Sequence, residues 1–276
     1  MKKRIISLIL VLLMAVSLFS ISAFADSFDA QQLGPDTATV GTYKDLNKFK
    51  TAGDIVVYPK SLETAEEGTV YPVIAWANGT GCITSLYYKL FEILADNGYI
   101  VVADTNVMTG DGKSLSASID YILAKNADPN SIFYGHVDAD NIGASGHSQG
   151  GKAAVVAASK DSRIKCIVSI AGASTAKEAS GVTCPAFYIS GSADLIVLAS
   201  MWVKPSYKAS NGPAAYACLK MAPHTTCMFV PDRIGTYAVQ WFNLFLKGDT
   251  DALAVFVPGG QLSCDSHWKD VTSKAG

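Results

Sequence analysis

Seven short apolar runs, spaced by segments with helical periodicity, constrain this 276-residue chain more than any other feature. They are "DIVVYP", "PVIAWA", "YIVVAD", "NIGASG", "CIVSIA", "AFYISG" and "AYACLKM". Most are rich in Val, Ile and Ala and lack polar alternation, the pattern of parallel strands buried on both faces. Between them, Leu86, Leu90, Phe91 and Leu94 share a helical face ahead of Gly98. Leu115, Ile119, Ile122 and Leu123 repeat the pattern, and Ala238, Trp241, Phe242 and Phe245 form another stripe before Gly248. Alternating strands and helices with right-handed crossovers predict an α/β fold, a doubly wound and mostly parallel sheet with helices on both faces. Ligands of such sheets bind beyond the carboxyl ends of the strands, so chemistry is expected in the loops that follow these runs.

The N-terminus stands apart. A basic start ("MKKR"), an apolar run ("IISLILVLLMAVSLF") and a small-x-small site at Ala23–Ala25 make residues 1–25 a secretory signal peptide, cut before Asp26. The alternative, an uncleaved membrane anchor, is disfavoured by that cleavage site, and no cysteine sits there to carry a lipid. Residues 26–276 then form a single extracellular domain, with a polar, loosely ordered lead over "DSFDAQQLGPDTATVG". Removing Lys2, Lys3 and Arg4 with no acid takes the net charge from −2 to −5. This acidic balance excludes a nucleic-acid footprint and argues against stable association with anionic membranes. The mature chain is expected to act as a monomer.

Six cysteines (Cys82, Cys166, Cys184, Cys218, Cys227 and Cys264) remain after cleavage, free to pair in an oxidising compartment. None has C-x-x-C spacing, so no zinc site, metal or cofactor is indicated. Cys166, Cys184 and Cys218 lie in or beside strand-like runs and read equally well as buried apolar residues. A Cys227–Cys264 disulfide is expected, because it would tie a loop just after His224 to a weakly anchored tail. Closing about 37 residues gives roughly 4 kcal/mol in the chain-entropy model.

"GHSQGG" (Gly146–Gly151) follows one apolar run and precedes the helix-competent "GGKAAVVAAS". Ser148 therefore occupies a strand-to-helix turn, where flanking glycines permit a strained nucleophile elbow. The helix that follows points its N-terminal dipole and free N–H groups at the site. A serine hydroxyl needs a base, and the base an orienting acid, in the chain order Ser, Asp or Glu, His. "AFYISG" runs into "SADLIV" and places Asp194 after a strand; "AYACLKM" runs into "APHTT" and places His224 after the next. The other histidines fit less well: His136 precedes the serine strand, His147 adjoins the serine and reads as a packing residue, and His267 is in the tail. The loop "NGTGC" after "PVIAWA" is the expected oxyanion loop, with Thr80 N–H and Gln149 N–H as donors. The sequon Asn78-Gly79-Thr80 in that loop reads as accidental, because a glycan there would block the cleft.

Together these residues resemble the bacterial secreted polyester hydrolases and cutinases, with related lipases, of the α/β-hydrolase fold. "GDIVVYP", "DTNV", "GHSQGG", "VKPSY" and "WFNLFLKGDTDALAVF" carry the resemblance across almost the whole mature chain. It implies Ser148, Asp194 and His224 as the triad, Thr80 and Gln149 as oxyanion donors, and Ile196 as an apolar subsite residue. The chain departs from the plastic-degrading members in having Ala173 at a tryptophan position, Thr80 at an aromatic oxyanion-loop position, and Val257 where a cysteine is usual. Trp202, just beyond the acid loop, is a candidate replacement for the lost aromatic wall. About a dozen residues separate "CIVSIA" from "PAFYISG", too few for a helical lid, which implies an open, shallow cleft. The expected activity is a cofactor-free serine hydrolase of short acyl esters or aliphatic polyesters. An acyltransferase or peptidase on the same scaffold, or a non-catalytic binding protein of this fold, are the alternatives.

Overall fold

A computed structural model describes residues 40–45 and 54–274. The expected signal peptide, residues 1–25, and most of the polar lead fall outside the described residues. Among the described residues, nine strands form one sheet in the order β1-β2-β4-β3-β5-β6-β7-β8-β9. They are β1 Val40–Asp45, β2 Asp54–Pro59, β3 Tyr71–Ala77, β4 Ile100–Asp104, β5 Val137–His147, β6 Ile164–Ile170, β7 Ala186–Gly191, β8 Ala214–Leu219 and β9 Trp268–Lys274. β4, β3, β5, β6, β7 and β8 pair in parallel, whereas β1, β2 and β9 join antiparallel.

All seven apolar runs are strands. The parallel expectation fails for "DIVVYP": β2 pairs antiparallel with β4, Ile55 opposite Ala103 and Val56 opposite Val102. An all-apolar run reports burial on both faces but not direction: Ile55 and Val57 enter one apolar core and Val56 and Tyr58 the other, whichever way the strand runs. The edge strands β1 ("VGTYKD") and β9 ("WKDVTSK") carry too much polarity to read as strands. Charged, polar residues are the usual means of blunting a sheet edge.

Side-chain alternation divides the sheet into two apolar layers. Ile74, Trp76, Val101, Val168 and Phe187 join one core with helices α1 (Tyr88–Asp96) and α7 (Asp232–Leu246). Val73, Ala75, Val102, Ala144 and Tyr188 join the other with α2 (Lys113–Ala127) and α3 (Gln149–Ala158). Shorter helices are α4 (Ala176–Ala179), α5 (Lys204–Ala209), α6 (Thr226–Phe229), α8 (Leu253–Phe256) and α9 (Gln261–Cys264). Between β6 and β7 only the four-residue α4 intervenes, closed by a capping box between Thr175 and Glu178.

The expected Cys227–Cys264 bridge is not formed; all six cysteines are free thiols. Cys227 lies on α6 within the α1/α7 core, whereas Cys264 is exposed on α9 with its Sγ 3.2 Å from Gly259 O. β9 secures the tail by pairing with β8, a means of anchorage the expectation had overlooked.

Candidate active site

Ser148 is the residue at which β5 becomes α3. Its φ of 58° and ψ of −116° place a non-glycine residue in a sparsely populated region, the strained turn expected of an elbow. Three backbone hydrogen bonds hold it there: Ser148 N–H donates to Ile170 O at 2.9 Å, and Ser148 O accepts the N–H groups of Lys152 at 3.1 Å and Ala173 at 3.2 Å. The flanking glycines are sterically required. A Cβ on Gly150 would stand 1.9 Å from Ala77 O, and one on Gly146 would stand 2.4 Å from the Gly150 carbonyl carbon. Strand β3 and the first turn of α3 meet with no room for a side chain.

Asp194 follows β7 and His224 follows β8. Asp194 Oδ1 accepts the N–H groups of Ile196 (2.9 Å) and Val197 (2.8 Å), which orient the carboxylate. Its Oδ2 lies 2.7 Å from His224 Nδ1, with both side chains buried. A carboxylate accepts only, so Nδ1 carries the proton and a neutral His224 presents its lone pair at Nε2. Nε2 is buried and makes no hydrogen bond among the described residues, not even to Ser148 Oγ. Such bonds are often long before substrate binds.

His147 packs as expected, with its ring centroid 4.6 Å from that of His224. It also bonds: its Nε2 lies 2.8 Å from His224 O. Burial, and then the neighbouring His224, hold its pKa well below the ordinary histidine value.

Thr80 is exposed in the loop after β3, and Gln149 opens α3. Among the described residues neither backbone N–H makes a hydrogen bond. The loop is anchored by Asn78, which is fully buried. Its Nδ2 lies 2.9 Å from Thr84 Oγ1 and 2.7 Å from Asp104 O, and its Oδ1 accepts Trp76 Nε1–H at 3.2 Å. The sequon nitrogen is thus built into the interior and is not open to a glycan. Gln149 Oε1 accepts Thr109 N–H at 2.9 Å, which fastens the segment after β4 onto the elbow. The sequence carries no motif for this fastening; only the stretch's place after a strand hints at it.

Ala173, Ile196 and Trp202 are all half-buried and pack against the α2/α3-side core. Trp202 sits on a π-helical turn, Ala199–Val203, that runs directly into α5. Ile196 is placed by the acid itself, through its N–H bond to Asp194. Among the described residues no group of three or more His, Cys, Asp or Glu is arranged to hold a metal.

The profile of the family described as PETase, PET hydrolase-like, matches residues 33–272. The chain belongs to the PET hydrolase-like family. Its nine-stranded, mostly parallel sheet with helices on both faces is accordingly an α/β-hydrolase fold. Among curated relatives, cutinase est2 of Thermobifida alba is 29% identical over 215 residues, covering 75% of this chain and 68% of the relative. Cutinase est1 of the same organism is 29% identical over 234 residues, 82% of this chain and 76% of its own length. A bis(hydroxyethyl) terephthalate hydrolase of Streptomyces coelicolor is 25% identical over 224 residues, 79% and 69% of the two chains.

Proposed function

We propose that this carboxylic-ester hydrolase is a secreted serine enzyme that opens short acyl esters or aliphatic polyesters through an acyl-enzyme on Ser148. One observation carries the reading: the buried 2.7 Å bond between Asp194 and His224, on the loops that follow β7 and β8 at the Ser148 end of the sheet. Family membership supports the bond type. The names of the relatives, two cutinases and a terephthalate-ester hydrolase, support the substrate class.

In this mechanism Ser148 Oγ attacks the ester carbonyl carbon while His224 Nε2 takes the hydroxyl proton. The carbonyl oxygen becomes an oxyanion, met by the N–H groups of Thr80 and Gln149 at the positive end of α3. Collapse breaks the ester C–O bond, and His224 returns the proton to the leaving alcohol. Water then attacks the acyl-enzyme carbonyl, losing a proton to His224, and as the bond to Ser148 Oγ breaks His224 passes that proton to Oγ and the acid departs. Asp194 holds the imidazole in the Nδ1–H tautomer throughout.

Support for insoluble esters comes from the surface around these loops. Met108 (60% exposed), Leu195 (76%), Met201 (62%) and Met221 (62%) all project from segments that follow strands at this end of the sheet. Exposed apolar side chains on these segments suit an apolar chain lying across the mouth. The absence of an aromatic residue at Ala173 favours aliphatic over aromatic acyl groups. Export rests on the signal sequence.

The test is active-site labelling by a fluorophosphonate, combined with hydrolysis of a panel of chain-length esters, amides and polyester films. Labelling and ester hydrolysis should both vanish in Ser148→Ala. Persistent labelling at another residue, or amide turnover exceeding ester turnover, sinks the proposal. N-terminal sequencing of the exported protein should begin at Asp26.

A further inference from the structure

Tyr87 lies on a 3-10 turn, Thr84–Tyr87, and is fully buried beneath the oxyanion loop. Its hydroxyl oxygen accepts Gly79 N–H at 3.1 Å and lies 3.1 Å from His147 Nδ1. His147 ends β5, and its other nitrogen, Nε2, lies 2.8 Å from the backbone carbonyl of His224. Three separated segments, the oxyanion loop, the elbow and the base loop, meet in this buried chain of bonds.

The direction of every bond in the chain is determined. A carbonyl oxygen can only accept, so His147 Nε2 carries the hydrogen. His147 is neutral because burial and the adjacent His224 disfavour its charged form, which leaves Nδ1 as an acceptor. Burial likewise keeps Tyr87 protonated. Tyr87 O–H therefore donates to His147 Nδ1, while a lone pair on the same oxygen receives Gly79 N–H. No polar atom in the chain is left over, and removing any member strands a buried partner.

We infer that Tyr87 and His147 are positioning residues, coupling the oxyanion loop at Gly79-Thr80 to the loop that carries His224. This rests on the serine mechanism proposed above. Gly79 N–H is engaged inward by Tyr87, and the next N–H along the chain, that of Thr80, makes no bond among the described residues and is the proposed oxyanion donor. His224 is held on its ring by Asp194 and on its backbone by His147, while its Nε2 has no partner among the described residues. The two halves of the machinery that must converge on one carbonyl are thereby referred to a common point. Small displacements of such groups cost heavily, up to about a hundredfold for a shift of about 1 Å.

The experiment compares kcat and KM on a soluble short-chain ester for the wild type, Tyr87→Phe, His147→Gln, His147→Phe and the double variant Tyr87→Phe/His147→Gln. Ser148→Ala is carried alongside. Tyr87→Phe removes one oxygen and should lower kcat about ten- to a hundredfold with KM within about twofold. His147→Gln keeps a donor near the Nε2 position and should retain more activity than His147→Phe. The double variant should be no worse than the weaker single, because both break one chain.

A Tyr87→Phe enzyme with a lowered Tm but an unchanged kcat would show a purely structural role and overturn the inference. Active Ser148→Ala would instead overturn the serine mechanism, so the two failures are separable. If the variants do not fold, imidazole ¹⁵N NMR of the wild-type protein decides. His147 should be neutral with its hydrogen on Nε2 across the activity range, and an Nδ1–H tautomer or a charged ring refutes the chain.

Discussion

Asp194 meets His224 through a 2.7 Å hydrogen bond sealed from solvent, and the same carboxylate is clamped from behind by the N–H groups of Ile196 and Val197. The carboxylate thus selects the imidazole tautomer. Asp194→Asn should keep the clamp through its amide oxygen but offer Nδ1 a donor where it now has an acceptor. The ring would then carry its hydrogen on Nε2 and could not take the serine proton. A kcat loss of about 10⁴-fold is expected at nearly unchanged Tm. Stopped-flow ester hydrolysis with thermal melts checks it.

Ser148→Ala and His224→Ala should each abolish nearly all turnover, and the double variant should be scarcely worse than either single, since the residues act as a unit. Losses that multiply would break the assignment.

Gly150→Ala should be among the most damaging single-methyl changes in the chain. Its Cβ would lie 1.9 Å from Ala77 O, backbone on backbone, with no side chain able to yield. Overpacking of this kind costs about 1–3 kcal/mol or more. By contrast, Gly68→Ala meets open space and bears only the strain of a positive φ, +88°. Chemical denaturation of the two variants should rank them clearly, and equal stability would contradict the close approach of β3 and α3.

His147 ties stability to pH. In the folded protein it stays neutral well below the ordinary histidine value, whereas the unfolded chain binds its proton near pH 6.5. The unfolded state therefore holds more protons in this window, and stability rises with pH. The contribution is complete above about pH 6.5 and is lost as pH falls below it, at about 1.4 kcal/mol per unit. Denaturation of wild type and His147→Gln across pH 5–8 should show a shallower slope in the variant. Parallel slopes would refute this linkage.

Thiol accessibility should follow burial rather than pairing. Cys264 is exposed and Cys184 half-buried, while Cys82, Cys166, Cys218 and Cys227 are buried. A maleimide should tag Cys264 first in the native protein, with the buried four labelled only after denaturation. Cys264→Ser should leave Tm unchanged. A Cys227–Cys264 peptide in an unreduced digest would overturn the free-thiol arrangement.

Ala173 should set the acyl preference. A tryptophan there can stack on a planar acyl group, and such contacts contribute about 0.5–1.5 kcal/mol. Ala173→Trp should raise aromatic-ester turnover by about tenfold or less, with aliphatic esters little changed. If Trp202 already supplies the wall, the gain disappears and Trp202→Ala lowers aromatic turnover instead. Kinetics on matched aliphatic and aromatic esters separate these. A wild type that prefers the aromatic ester, with that preference intact in Trp202→Ala, contradicts the account.

The seven apolar runs, the elbow glycines and the order Ser148, Asp194, His224 were legible because each is local. Burial on both faces writes itself as an unbroken apolar run, and a tight turn as glycine. Strand direction is not local, so β2 read as one more parallel strand, and the polar edges β1 and β9 carried no apolar signal at all. The Cys227–Cys264 pairing failed for the same reason: spacing along the chain says nothing of where two sulfurs lie.

The sequence by itself determined the sheet's interior, the turn at Ser148 and the loops that carry Asp194 and His224, since period, composition and glycine placement act over a few residues. Only the tertiary structure decided how those loops are held against one another. Gly79, Tyr87, His147 and His224 are bonded across gaps of 8, 60 and 77 residues. A buried hydrogen-bond chain of that reach exists only once the sheet has brought its strand ends together, because each polar group finds its partner by position in space and not by position in the chain.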